Sequence, residues 1–298
     1  MILKTLLADL FPFCASSIPA DFEDGDFGFV EDGESCTLIS YSGAGGDVII
    51  PSVATKTGGD ASTAYTVTSI GNLAFRNCPG LVSVTIPGSV TSIGDRLFAY
   101  CTGLASITIP DSVTSIGELA FFRCSSLASI TIPESVTSVG DSAFRACSSL
   151  VSITIPDSVT AIGDRAFWGC NSLVSITIPD SVTSIGDCAF NVCAELAFIA
   201  IPCSVISIGE DAFNSCSSLS SVTIPGSVTS IGARAFENCK ALKNVTVLWA
   251  TPQSVGVSAG VFENVNLAGL TLNVPAGAKT LYQMHEIWGQ FGSIADEI

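Results

Sequence analysis

The chain has 298 residues, 48% of them hydrophobic, which is ample apolar material for a large core. Its 27 acidic residues stand against 11 Lys and Arg, a formal charge of −16. That balance repels phosphate backbones and anionic lipid, so it argues against nucleic-acid binding and membrane docking. No apolar run approaches the roughly 20 residues of a spanning helix.

Residues 1–20 open with one cation, Lys4, among Leu3, Leu6 and Leu7, and small residues follow at Ala15, Ser16 and Ser17. This reads as a secretory signal. Asp9 and Pro12 interrupt the apolar part, so a disordered tail is the competing reading, and Phe11-Pro12-Phe13 is too bulky before Cys14 for a lipid anchor. Residues 21–66 read as an N-terminal cap with a degenerate repeat, in which Val48-Ile49-Ile50-Pro51 is a strand ahead of a Gly/Ser/Thr-rich insert.

From Val67 to Ala250 one 23-residue unit recurs eight times, marked by Cys78, Cys101, Cys124, Cys147, Cys170, Cys193, Cys216 and Cys239. In one copy, Leu173, Ile176 and Ile178 alternate as a strand with one face inward, and Pro179 ends it. Val159 and Ile162 form a second apolar patch before Gly163. A glycine stands there in all eight copies, and the pattern predicts a turn with positive φ. Asp164 then reads as an N-cap for a short helical turn that points Phe167 and Cys170 inward. One coil cannot bury its own apolar face, but stacked coils can, each residue meeting its copies at about 4.8 Å. The column from Phe75 to Phe236 should be the largest packing contribution, at ~1.5–3 kcal/mol per buried ring. In residues 251–298, Leu270-Thr271-Leu272-Asn273-Val274 reads as a last strand, and Ala278–Phe291 as a helical cap over the open end.

The pattern SLxSITIPDSVTSIGDxAFxxC resembles the BspA-type leucine-rich repeat, the Treponema-pallidum-type subclass. The resemblance implies an α/β repeat solenoid with short parallel strands and short helical turns, capped at both ends. It also implies a non-enzymatic, cell-surface or secreted protein that binds a protein ligand on a host or neighbouring cell, with the concave strand face as the contact surface and no cofactor.

Twelve cysteines raise the question of disulfides or zinc. The eight on the repeat read as buried thiols, because stacked copies point in parallel and converge on no tetrahedron. Cys14, Cys36, Cys188 and Cys203 lie off that column, and no pairing follows from the sequence. His285, the only histidine, falls in the C-terminal cap, far from the repeat acids, and supplies no triad. Asp95, Glu118, Asp141, Asp164, Asp187 and Glu210 form one acid column, and Asp111, Glu134, Asp157 and Asp180 another. Caps and turns explain both without chemistry, with calcium held between rungs as the competing hypothesis, and no catalytic or metal residue emerges.

The outward strand positions carry Ser-x-Thr in six repeats, for example Ser152/Thr154 and Ser175/Thr177. The sixth repeat departs, with Phe198 and Ala200 there, Cys203 in the Asp/Gly column and Ile206 in the Thr column. This apolar break on a polar face is the first candidate contact site, with drift in a redundant repeat as the alternative. Tyr100, Phe122 and Trp168, at variable positions on the opposite side of the coil, are further candidates beside a reading as partly buried packing. A spacer without a ligand, or a Ser/Thr array binding ice or polysaccharide, are the competing functions.

Overall fold

The computed structural model of the protein describes residues 19–58, 62–252, 255–258 and 260–296. The signal-like features read between Lys4 and Ser17, and Cys14, lie outside these residues. The repeat is a parallel-strand solenoid. Strands Ser129–Thr131, Ser152–Thr154, Ser175–Thr177, Phe198–Ala200, Ser221–Ile224, Asn244–Val247, Thr271–Val274 and Ser293–Asp296 lie side by side in that order in one sheet. Because the repeat length never changes between copies, the register is in step: Ser152, Ile153 and Thr154 pair with Ser175, Ile176 and Thr177. Each inward side chain therefore meets its own copy, and Leu173, Ile176 and Ile178 are all buried.

The second apolar patch is also a strand column. Two-residue strands from Ser92–Ile93 to Gly256–Val257 pair in parallel, in sheets of three and five strands. Between the two columns runs the Pro-x-Ser-Val turn. Its serine hydroxyl donates to the valine carbonyl one coil below, as in Ser112 to Val90 at 2.6 Å and Ser181 to Val159 at 2.6 Å.

The expected helical turn is absent, and with it the α/β class. Among the described residues the one α-helix is α1, Lys279–Gln283, in the C-terminal segment. Between Gly140 and Cys147, Ser142 and Ala146 both take left-handed φ, 58° and 59°. The corresponding residues do so in every copy, from Leu73 and Asn77 to Arg234 and Asn238. Two left-handed residues four apart cannot belong to one right-handed helix. They turn alternate amides along the stack instead: Ser142, Phe144 and Ala146 donate to Asp164, Ala166 and Trp168 of the next coil at 2.7–2.9 Å. Ala143, Arg145 and Cys147 close three-residue turns within the coil. Every side of the coil is thus hydrogen-bonded to its neighbours, and a helix would leave this side unlinked.

The repeat glycine is also explained differently. None of the eight from Gly71 to Gly232 has positive φ. In Gly117, Gly140, Gly186, Gly209 and Gly232 the amide donates to an isoleucine carbonyl one coil below, Gly186 to Ile162 at 2.9 Å. A Cβ on Gly186 would sit 2.6 Å from Asp164 Oδ1 and 2.8 Å from its backbone nitrogen. The glycine is there because coils approach too closely for a side chain. Asp164 is no helix cap either. Its Oδ1 accepts from the Asp187 amide at 2.8 Å, and Asp164 itself donates to Asp141 Oδ1 at 2.9 Å.

The phenylalanines stack face to face from Phe75 to Phe236, with centroids 5.2–5.6 Å apart. Tyr41 continues the column below at 5.0 Å and Phe262 above at 5.6 Å. At the N-terminal end, β1 (Phe22–Asp24), β2 (Phe27–Asp32), β3 (Ser35–Tyr41), β4 (Gly46–Ile49), β5 (Val53–Lys56) and β6 (Thr63–Ile70) follow in sequence. Five of them form a sheet in the order β1-β2-β3-β6-β5, while β4, the expected degenerate strand, pairs in parallel with Leu81–Thr85. At the other end Trp249, Phe262, Trp288 and Phe291 pack ring against ring, and the Tyr282 hydroxyl donates to the Trp249 carbonyl at 2.8 Å. The chain then adds one more strand, Ser293–Asp296, beyond the expected cap. Among the described residues, no helix is long and apolar enough to cross a membrane.

Candidate interaction surfaces

The strand Phe198–Ala200 points Ile199 inward and leaves Phe198 58% exposed. Its flanking strands set Ser175 and Ser221 beside Phe198, and Thr177 and Thr223 beside Ala200. The apolar ring therefore stands alone among hydroxyls on its own register line. Val151 and Val174, each about half exposed on the two coils below, extend the apolar character along the same edge of the sheet. The sequence reading missed them, although they stand where other copies carry Ala105, Ala128 and Ala197. Cys203 and Ile206 belong to the same coil but lie past the Pro202 turn, exposed in the Asp/Gly and Thr columns; Ile206 is 51% exposed. The fold places these four residues in one coil, on different faces of it.

Tyr100, Phe122 and Trp168 are drawn into one cluster through residues the sequence reading did not single out. Tyr100 meets Phe122 edge-on at 5.1 Å. Arg123 lies 5.6 Å from the centroids of both rings. Arg145 lies between Phe122, at 5.2 Å, and Trp168, at 4.7 Å. Arg76 stands over Tyr100 at 5.8 Å. The signal was present in the repeat arithmetic: Arg145 is one repeat from both Phe122 and Trp168. A hollow of about 440 Å³ opens beside this staircase, bordered by Arg76, Arg96, Tyr100, Phe122 and Arg145.

Seven of the eight column cysteines, Cys101 to Cys239, are buried free thiols. Each Sγ donates to the phenylalanine carbonyl of the coil below, Cys170 to Phe144 at 3.2 Å for instance. Burial among apolar side chains pushes the Cys101, Cys170 and Cys239 thiols up to about 12. Cys78, the lowest of the column, is disulfide-bonded and so departs from the thiol reading. Cys36, Cys188 and Cys203 are free. His285 Nδ1 accepts the Ile287 amide at 3.2 Å, a local turn contact after α1. Among the described residues no group of three or more His, Cys, Asp or Glu is placed to hold a metal.

The family model for the BspA-type leucine-rich repeat region, in six copies, matches residues 60–174 and 161–284. The chain belongs to the BspA-type leucine-rich repeat family. No curated protein sequence matches it significantly. Solved leucine-rich repeat structures resemble it, three of them as follows. A leucine-rich repeat protein from Bacteroides ovatus is 26% identical, with a TM-score of 0.66 over 93% of this chain and 76% of that one. The Treponema pallidum leucine-rich repeat protein is 31% identical, with a TM-score of 0.54 over 76% and 91%. A leucine-rich cell surface protein from Faecalibacterium prausnitzii is 26% identical, with a TM-score of 0.63 over 95% and 96%. In this BspA-type chain the recurrent column types of the repeat are structural: glycine for close approach, serine and aspartate for carbonyl and amide partners, cysteine and phenylalanine for the core. The family is a repeat scaffold, and no enzyme family matches.

Proposed function

We propose that the protein is a non-enzymatic binding scaffold, secreted or held at the cell surface, that engages a protein ligand on a host or neighbouring cell through its strand face. Residues 67–250 would be the interacting body, with 21–66 and 251–298 as its caps. The observation that carries this reading is Phe198, a phenylalanine 58% exposed in the middle of a regular hydroxyl face. A large exposed ring is unfavourable in water, and interfaces concentrate their energy in aromatic anchors of this kind. Ala200 leaves room beside it, and Val151 and Val174 widen the apolar contact. Cys203 and Ile206 would add a second edge around the turn of the same coil. The cell-surface description of the F. prausnitzii protein supports the location.

The test is retention of the purified chain on a panel of immobilised host matrix proteins and glycans. Phe198→Asp should reduce retention at least tenfold with an unchanged melting temperature, because the side chain contributes little to the fold. Equal retention of both proteins removes Phe198 from the contact. A blank across the panel favours a spacer, whose uniform coils need no ligand.

A further inference from the structure

We propose that the arginine–aromatic staircase is a second binding site, separate from the strand face, and that it takes the carboxylates of a short acidic segment of a partner protein. The chain has 27 acidic residues and 11 Lys and Arg, so a guanidinium here has many carboxylates to choose from. Arg234 follows that rule, pairing with Asp211 at 2.9 Å, and Arg96 pairs with Glu118 at 3.2 Å. Arg123 and Arg145 do not. Among the described residues neither guanidinium has a carboxylate partner, and Arg145 Nε is buried without a hydrogen bond. Both are held by ring faces alone.

This geometry favours one class of ligand. Arg145 stands over Phe122 and Trp168, and Arg123 over Tyr100 and Phe122, so a ligand that enters here meets guanidinium groups set among the rings. A guanidinium held against rings has less freedom to turn, and its planar fork of N–H groups suits a carboxylate in bidentate contact. The stack also removes much of the rotamer freedom that binding would otherwise have to remove. The hollow of about 440 Å³ beside the stack brings Arg76 and Arg96 to the same rim, with Asp95 as the acid that lines it. A second hollow of about 360 Å³ borders Arg123 and Trp168 on the other side. The acidic columns on the rest of the surface oppose any long polyanion, so a short segment fits and nucleic acid does not.

The probe is acetyl-hexaglutamate-amide, titrated calorimetrically against the full chain, with the fluorescence of Trp168 as a local reporter; Trp249 and Trp288 are buried in the C-terminal packing. Saturable one-to-one binding is expected. Arg145→Asn introduces the residue that the same column carries at Asn191 and Asn214, and Arg123→Ala the residue carried at Ala146, so both variants retain a natural repeat. Each should weaken binding at least tenfold with an unchanged melt. Arg145→Lys keeps the charge without the fork and should weaken it as well. Phe198→Asp should leave it unchanged, which separates this site from the strand face. No saturation by hexaglutamate, equal binding by Arg145→Asn, or full affinity in Arg145→Lys overturns the assignment. So does tighter binding of a tetragalacturonate oligomer, which would make the groove a site for acidic glycans.

Discussion

Gly186 and Gly88 occupy different positions of the same repeat and answer to different constraints. A side chain at Gly186 would press into the backbone of the coil below, with Asp164 atoms 2.6–2.8 Å away. At Gly88 nothing lies within 4 Å, and other copies carry Asp111 or Glu134 there. Gly186→Ala should therefore cost about 1–3 kcal/mol, as overpacked sites do. Gly88→Ala should lie within about 0.5 kcal/mol of the parent or slightly stabilise it by restricting the unfolded chain. Urea denaturation of the two variants checks this. Equal effects would mean that the glycine column is not set by contact between coils. The same residue-level reading accounts for Ser181 and Asp164, short polar side chains that fit only because a carbonyl or amide of the adjacent coil faces them.

At the level of the element, the cysteine column behaves as a unit. The ordinary thiol value is 9.0, and burial raises Cys101, Cys170 and Cys239 to about 12, with Cys124, Cys147, Cys193 and Cys216 also raised well above it. In the unfolded chain these thiols release protons near pH 9, while in the folded chain Cys101, Cys170 and Cys239 hold them to about 12 and the other four to well above 9. Between those values the folded state binds more protons, so stability falls as pH rises; below pH 9 it is fully present. At pH 10 Cys101, Cys170 and Cys239 each cost about 1.4 kcal/mol relative to neutral pH, and the other four shift stability in the same direction. Denaturation midpoints at pH 7.5 and pH 10 should drop less in a Cys147→Ala, Cys170→Ala double variant than in the parent. Identical drops would assign the alkaline loss to other groups.

The whole molecule is a stack in which each coil touches chiefly its neighbours. Its stability is then close to a sum of coil and interface contributions. Removing residues 142–164 joins Asp141 to Arg165 in the correct phase and sets Phe121 against Phe167. The shortened chain should fold, with the same strand signal in circular dichroism and a modestly lower denaturation midpoint. Removing residues 188–210 should also leave a folded stack but take away Phe198, Ala200, Cys203 and Ile206, and with them the retention on matrix proteins. A collapse of either deletion to an unfolded chain would mean that the stack depends on long-range cooperation.

The sequence by itself determined the solenoid, the repeat length and the inward columns of Leu, Ile, Val, Phe and Cys. Periodic apolar residues have one way to be buried together, by stacking on their copies. It also exposed Phe198 as an interruption, since departure from a repeat is visible without coordinates. It did not determine the conformation of the segment between Gly163 and Cys170. An Asp, an Ala and a Phe three residues before a Cys suit a helical turn locally. Only the stack requires amides to point along its axis, and left-handed residues at Arg165 and Gly169 meet that requirement. For the same reason Gly163 reads as a turn former in isolation and proves to be a close contact between coils. The arginine staircase belongs to the tertiary structure too. Phe122 and Arg123 are adjacent in the chain, but Tyr100, Arg145 and Trp168 join them only when residues one repeat apart are brought within one coil spacing.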